Sequence, residues 1–115
     1  MNRRHFLFAA AAPPELFAQD ALKKMLEPPA GKVPVVLDTD TYNEIDDQYA
    51  VAYAILSPER MDVEAIYAAP YLNNRSKSAG DGMEKSYQEI LRILKFLNRR
   101  PESFAWRGSD RFMEA

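Results

Sequence analysis

The run Val33-Pro-Val-Val-Leu-Asp38 constrains the fold more than any other stretch of the chain. A short, continuous series of β-branched and aliphatic residues suits a strand buried on both faces, which is the mark of a parallel sheet. After a polar loop, Asp46 and Asp47 open Gln48-Tyr-Ala-Val-Ala-Tyr-Ala-Ile-Leu56, a stretch rich in helix formers, apolar on nearly every side and stopped by Ser57-Pro58. It predicts a largely buried helix. Met61 to Ala69 alternates polar and apolar residues and then turns apolar, which predicts a second strand ended by Pro70.

Tyr71 to Gly80 reads as a polar loop carrying Asn73-Asn74-Arg75-Ser76. Asp81 is expected to cap the following helix, with Glu84 as its capping-box partner. Met83, Tyr87, Ile90, Leu91, Leu94 and Leu97 recur at helical spacing on one face, with Glu84, Gln88, Glu89, Arg92 and Lys95 opposite. Asn98-Arg99-Arg100-Pro101 ends that helix, and Phe104-Ala-Trp-Arg107 starts a third strand. Tyr53 and Tyr67 read as core, Trp106 as packed at a strand end, and Arg75 and Lys77 as solvated loop charges. The order strand, helix, strand, helix, strand predicts an α/β fold with a doubly wound, mostly parallel, Rossmann-like sheet, built with right-handed crossovers. A chain of 115 residues holds one domain or part of one. Its last residues follow directly on a strand and a loop, so the chain reads as the N-terminal βαβαβ portion of such a sheet.

Composition narrows the function. Apolar residues make up 47% and charged residues 28%, enough to bury a core rather than stay disordered. A formal net charge of −2 provides no cationic field for a phosphate backbone, so nucleic acid is not expected as a partner. With no cysteine, thiol chemistry and thiolate metal sites are excluded. The one histidine, His5, stands in a segment that resembles an export signal: Arg3-Arg4, then Phe6-Leu7 and an apolar run to Ala12. That layout resembles the twin-arginine signal and implies an exported, periplasmic or extracellular protein with no membrane span in its mature form. The expected organisation is a signal over 1–18, a linker over 19–31 with at most a turn or two of helix, and the domain over 32–115.

Ligands of open α/β sheets bind beyond the carboxyl ends of the strands. There the chain reads Asp38-Thr-Asp40-Thr-Tyr-Asn43-Glu44-Ile-Asp46-Asp47, with five carboxylates and no lysine or arginine between Lys32 and Arg60. Carboxylates this crowded raise one another's pKa unless a cation joins them. A hard divalent cation is the natural partner, and calcium tolerates irregular oxygen geometry. The plainer reading is that Asp46 and Asp47 only favour the positive end of a helix dipole while the others are solvated. An EF-hand fails, because counting from Asp38 puts Asn43 where glycine is needed and Tyr49 where glutamate is needed.

Asp38-x-Asp40, a short loop, then Asp46-Asp47 at the start of an apolar helix resembles the inosine-uridine-preferring nucleoside hydrolase family, over about Val33 to Gly108. The loop Thr41 to Glu44 is longer than the common family form, which marks a divergent branch. The resemblance implies calcium-dependent hydrolysis of the N-glycosidic bond of a ribonucleoside or related N-riboside. It implies Asp40 as a calcium ligand and the catalytic base, Asp47 as a bidentate calcium ligand and Asp38 as support of the metal shell. Asp46 would bind ribose hydroxyls, together with an asparagine after the second strand, Asn73 or Asn74. The family's remaining ligands and its histidine lie in a C-terminal part, so this portion is expected to be inactive alone; a homo-oligomer is left open. Two other classes stay open: a dehalogenase-type phosphatase using Asp38 and Asp40 with magnesium, in which Thr41 stands one place early, and a non-catalytic calcium- or sugar-binding protein.

Overall fold

The computed structural model describes residues 14–102 and 104–114. The paired arginines, His5 and the apolar run over 6–12 lie outside the described residues. The chain divides into two units at Ala30–Gly31. The first contains helix α1, Pro14–Leu26. Proline suits a first helical turn, where its missing N–H has no partner to lose, and Lys23 and Lys24 sit at the negative end of the helix dipole. The helix thus begins inside the segment read as a signal and takes about two turns of the expected linker. Among the described residues no helix is long and apolar enough to cross a membrane.

The second unit is an α/β structure: β1 (Val33–Thr39), α2 (Ile45–Ile55), β2 (Met61–Ala68), α3 (Ala79–Phe96) and β3 (Ala105–Arg107). The three strands form an all-parallel sheet in the order β1-β2-β3, the βαβαβ alternation expected from the sequence. Pairing runs Val33↔Met61 to Val35↔Val63, then resumes at Val36↔Ala65, so Glu64 is an extra residue in a bulge. Tyr67 on β2 lies between Asp38 on β1 and Trp106 on β3.

One face of this sheet carries the core. Ile66, Ala68 and Ala105 meet Val51 and Ile55 of α2 and Met83, Ile90, Ile93 and Leu94 of α3. Ile66, Ile90, Leu94 and Val51 are fully buried. Burying side chains of this size contributes roughly 1.5–3 kcal/mol each. Both helices therefore cover the same side, as successive right-handed crossovers in a 1-2-3 strand order require.

Several expectations need correction. The helix after the acidic loop is not largely buried. Only Val51, Ala54 and Ile55 are, while Ile45, Tyr49, Tyr53 and Leu56 are exposed, because α2 packs chiefly on β2 and α3 and its outer stripe is left uncovered among the described residues. Tyr53 and Tyr67 are accordingly not core, and Trp106 is 45% exposed on the sheet face turned away from the helices. Asp81 is not the cap of α3. Ser78 is, its hydroxyl accepting from the Asp81 amide at 3.1 Å, whereas the Asp81 carboxylate accepts from the Lys77 amide and from Lys85. Glu84, freed from the capping box, takes two bonds from Arg107 (2.6 and 3.0 Å), whose guanidinium lies 4.0 Å over the Tyr87 ring, and this ties β3 to α3. Glu89, expected on the polar face, is buried and held by both ends of the Arg92 guanidinium, since a buried carboxylate needs a paired cation. Asn98 closes α3 in the left-handed region (φ 53°), a conformation asparagine tolerates better than most residues.

Gly82 lets α3 reach the loop after β2. A Cβ there would stand 2.2 Å from the Tyr71 carbonyl oxygen and 2.9 Å from its nitrogen. Gly82→Ala should therefore destabilise the protein by about 1–3 kcal/mol, although alanine is the better helix former by roughly 1 kcal/mol. Urea unfolding of the two proteins checks it; a stabilised variant would mean that the Tyr71 backbone gives way freely.

Candidate functional site

β1 ends at the carboxyl edge of the sheet with Thr39 turned into the interior, and the chain then turns over. The hydroxyls of Thr39 and Thr41, both buried, lie 3.0 Å apart and bond to each other, anchoring the start of the acidic loop. The Asn43 amide donates to the Asp40 carbonyl at 2.6 Å. Its side-chain amide donates to Asp40 Oδ2 at 2.8 Å, the short-range capture of backbone and carboxylate that asparagine favours in turns. Glu44 then occupies the N-cap of α2 without a side-chain capping bond, and Asp46 and Asp47 fill the first turn, where the helix dipole favours negative charge.

The loop after β2 comes up beside this turn. Asn73 Nδ2 donates to Asn43 Oδ1 at 2.6 Å, and the Arg75 guanidinium donates to the Asn43 carbonyl at 2.5 Å. Asn73 Oδ1 accepts from the Arg75 amide at 2.9 Å, and Lys85 Nζ donates to the Arg75 carbonyl at 2.7 Å. Arg75 is thus a tethered residue rather than the solvated loop charge read from the sequence. Of the two asparagines considered, Asn73 is the one joined to the acidic loop. Asn43, read only as part of an insertion, is the hinge of this network, touching Asp40, Asn73 and Arg75 at once. Its position three residues after an aspartate in a tight turn is the signal that could have singled it out.

Asp40 and Asp47 are brought together. Partial burial, and after it the neighbouring Asp40 carboxyl, pushes the Asp47 pKa from 3.8 up to about 6, with Thr39 pulling the other way. Asp46 adds to that rise at longer range. Asp46 itself is exposed at the helix start. Asp38 is exposed on the face of β1 away from Thr39, paired with Tyr67 of β2, because successive strand residues alternate sides. Among the described residues no three His, Cys, Asp or Glu side chains converge as a ready metal cage. The elements present are a carboxylate pair, a threonine hydroxyl and two bridged asparagines. An apolar groove of about 300 Å³ between α2 and α3, lined by Ile45, Tyr49, Ala52, Ile93, Phe96 and Leu97, runs beside the acidic loop without including any of its carboxylates. Burial also raises the pKa of the Tyr71 phenol. Its oxygen and that of Ser86 are the buried side-chain polar atoms without a partner among the described residues.

No protein-family model matches this chain, and neither a curated protein nor a solved structure matches it.

The raised Asp47 pKa predicts an unusual pH dependence of stability. Below pH 3.8 Asp47 is protonated in both folded and unfolded chains. Between pH 3.8 and about 6 the folded state keeps a proton that the unfolded state has lost, so this group's contribution falls as pH rises through that window. Asp47→Asn should remove the decline and unfold at higher denaturant than the wild type at pH 7.5, with little difference at pH 3.5. Chemical denaturation at the two pH values, in chelator, measures it; an equal gain at both would assign the effect to something other than ionisation.

Proposed function

We propose that this chain carries the cation- and ribose-binding loop of a calcium-dependent hydrolase acting on the N-glycosidic bond of ribonucleosides or related N-ribosides. The observation that carries the reading is the Asp40–Asp47 pair at the carboxyl edge of a parallel sheet, where ligands of α/β proteins bind. Partial burial and the neighbouring Asp40 carboxyl raise the Asp47 pKa to about 6, and a divalent cation between the two carboxylates would relieve both effects. The donors beside them, the Thr39 hydroxyl and the loop amides, are hard oxygens in irregular array, which suits calcium better than a metal that demands a regular octahedron.

In this reading Asp40, from the loop after β1, and Asp47, from the first turn of α2, would hold the metal, and Asp38 near the end of β1 would support its shell. Bound calcium supplies positive charge and acidifies its water. Asp40, whose Oδ2 accepts from Asn43, would be the base toward the attacking water. Asp46, from the first turn of α2, and Asn73, joined to the acidic loop through Asn43, would take the ribose hydroxyls. Cleavage of an N-riboside builds positive charge on the sugar, and the surrounding anionic oxygens favour that state. Export, as the paired arginines imply, would place the protein where calcium is plentiful. A dehalogenase-type phosphatase would need Asp38 and Asp40 on one phosphoryl group, and no observation favours that arrangement.

Calcium titrated calorimetrically into the wild-type chain should give a binding isotherm that Asp47→Ala abolishes and Asp40→Asn weakens at least about tenfold. In a form that hydrolyses ribonucleosides, Asp40→Asn should lower kcat by roughly 10²–10⁴. Absence of calcium binding, or magnesium-dependent release of phosphate with the phosphoryl group on Asp38, would overturn the assignment.

A further inference from the structure

Beside the acidic loop lies a stretch of opposite charge. The loop after β2 and the first turns of α3 carry Arg75, Lys77 and Lys85, with Asp81 and Glu84 as their carboxylates. Glu84 is taken by Arg107. Lys85 Nζ meets Asp81 Oδ2 at 2.7 Å and the Arg75 carbonyl at 2.7 Å, and the same Asp81 oxygen accepts from the Lys77 amide at 2.8 Å. One ammonium–carboxylate pair thus fixes the backbone from Arg75 to Lys77. The side chains of Arg75 and Lys77 are the charges left over: both residues are exposed, and neither pairs with a carboxylate among the described residues.

That Arg75 forms no ion pair is informative, because it reaches the acidic loop and still gives its bond to a neutral group, the Asn43 carbonyl. A tether through one N–H orients the planar guanidinium and leaves the rest of its fork for another acceptor, and that fork matches phosphate. Tyr71 opens the same loop and is 5% exposed. Burial raises its pKa, while Lys85 and Arg75 act on the phenol in the opposite direction. Its oxygen, with no partner among the described residues, is a further polar group in this cationic corner. Asn73, which would take a ribose hydroxyl, accepts from the Arg75 amide at 2.9 Å. On a riboside the 3′-hydroxyl and the 5′ substituent stand on neighbouring ring carbons, so a sugar at Asn73 brings its 5′ end within reach of a long side chain two residues on. We propose that Arg75 and Lys77, backed by Lys85, form a phosphate subsite beside the ribose position, and that the substrate is an N-riboside 5′-phosphate rather than a free riboside. The inference rests on the hydrolase reading and narrows its substrate class.

The test titrates ribose 5-phosphate, ribose and inorganic phosphate calorimetrically into the calcium-loaded chain. Ribose 5-phosphate should bind at least about tenfold more tightly than either of the others. Lys77→Gln, a change at an exposed side chain, should remove most of that advantage with an unchanged circular dichroism spectrum. Arg75→Lys, which keeps the charge and loses the planar fork, should reduce it as well. Lys95→Gln, at an exposed position in the last turn of α3, should keep it. Equal binding of ribose and ribose 5-phosphate would overturn the subsite and leave the hydrolase reading in place. So would an advantage that survives Lys77→Gln, since the phosphate would then sit on the metal, or one lost equally in Lys95→Gln, which would make it an effect of general charge. A chain that takes up no calcium is a distinct result, and it would overturn the hydrolase reading and this substrate assignment together.

Discussion

The packing of Ile66 and Ala68 of β2 against Ile90 and Leu94 of α3 is the contact on which the rest of the second unit depends. β2 is the central strand, hydrogen-bonded to β1 on one side and β3 on the other. Its alternation decides which side chains of both neighbours meet the helices. Once Ile66 and Ala68 face α3, Tyr67 must face the opposite way, and parallel pairing carries Asp38 and Trp106 with it. The same contact positions the site. The Ala69 amide donates to the Thr39 carbonyl at 2.9 Å, so the acidic loop and the asparagine loop leave the sheet side by side.

At that edge, crowded negative charge is balanced by hydrogen bonds from neutral amides and one cation. Asn43 bonds Asp40 directly, Asn73 bonds Asn43, and Arg75 reaches the Asn43 carbonyl rather than a carboxylate. These contacts orient the loop without neutralising it, and partial burial of Asp47 beside Asp40 raises its pKa. A site held in shape by neutral donors and left short of positive charge is suited to take a cation at the time of binding. A loop stitched by its own salt bridges would have less to gain from one.

Much of the architecture was legible along the chain. The continuous aliphatic run of β1, the helix formers before Ser57-Pro58 and the three- and four-residue spacing of α3 each state a local preference that the fold keeps. The crowding of Asp40, Asp46 and Asp47 was equally visible, because it follows from spacing within ten residues. The partners of individual side chains were not. Glu84 and Asp81 read as a capping box because both satisfy its spacing, yet Arg107, distant in sequence, competes for Glu84, and Ser78 takes the cap. Asn43 looked like loop filler because its importance lies in contacts thirty residues away.

What the sequence determined by itself was the α/β order, the parallel sheet and the position of the acidic loop, since periodicity, helix stops and charge spacing act over a few residues and need no distant partner. Tertiary structure alone decided that α2 is half exposed, that Tyr53, Tyr67 and Trp106 lie outside the core, and that Asn73 bonds to the acidic loop. Each of those outcomes depends on which face a strand or helix presents and what stands opposite it. An apolar residue carries the same local signal whether or not anything covers it, and only the packed arrangement of α2 and α3 on one side of the sheet separates the two cases.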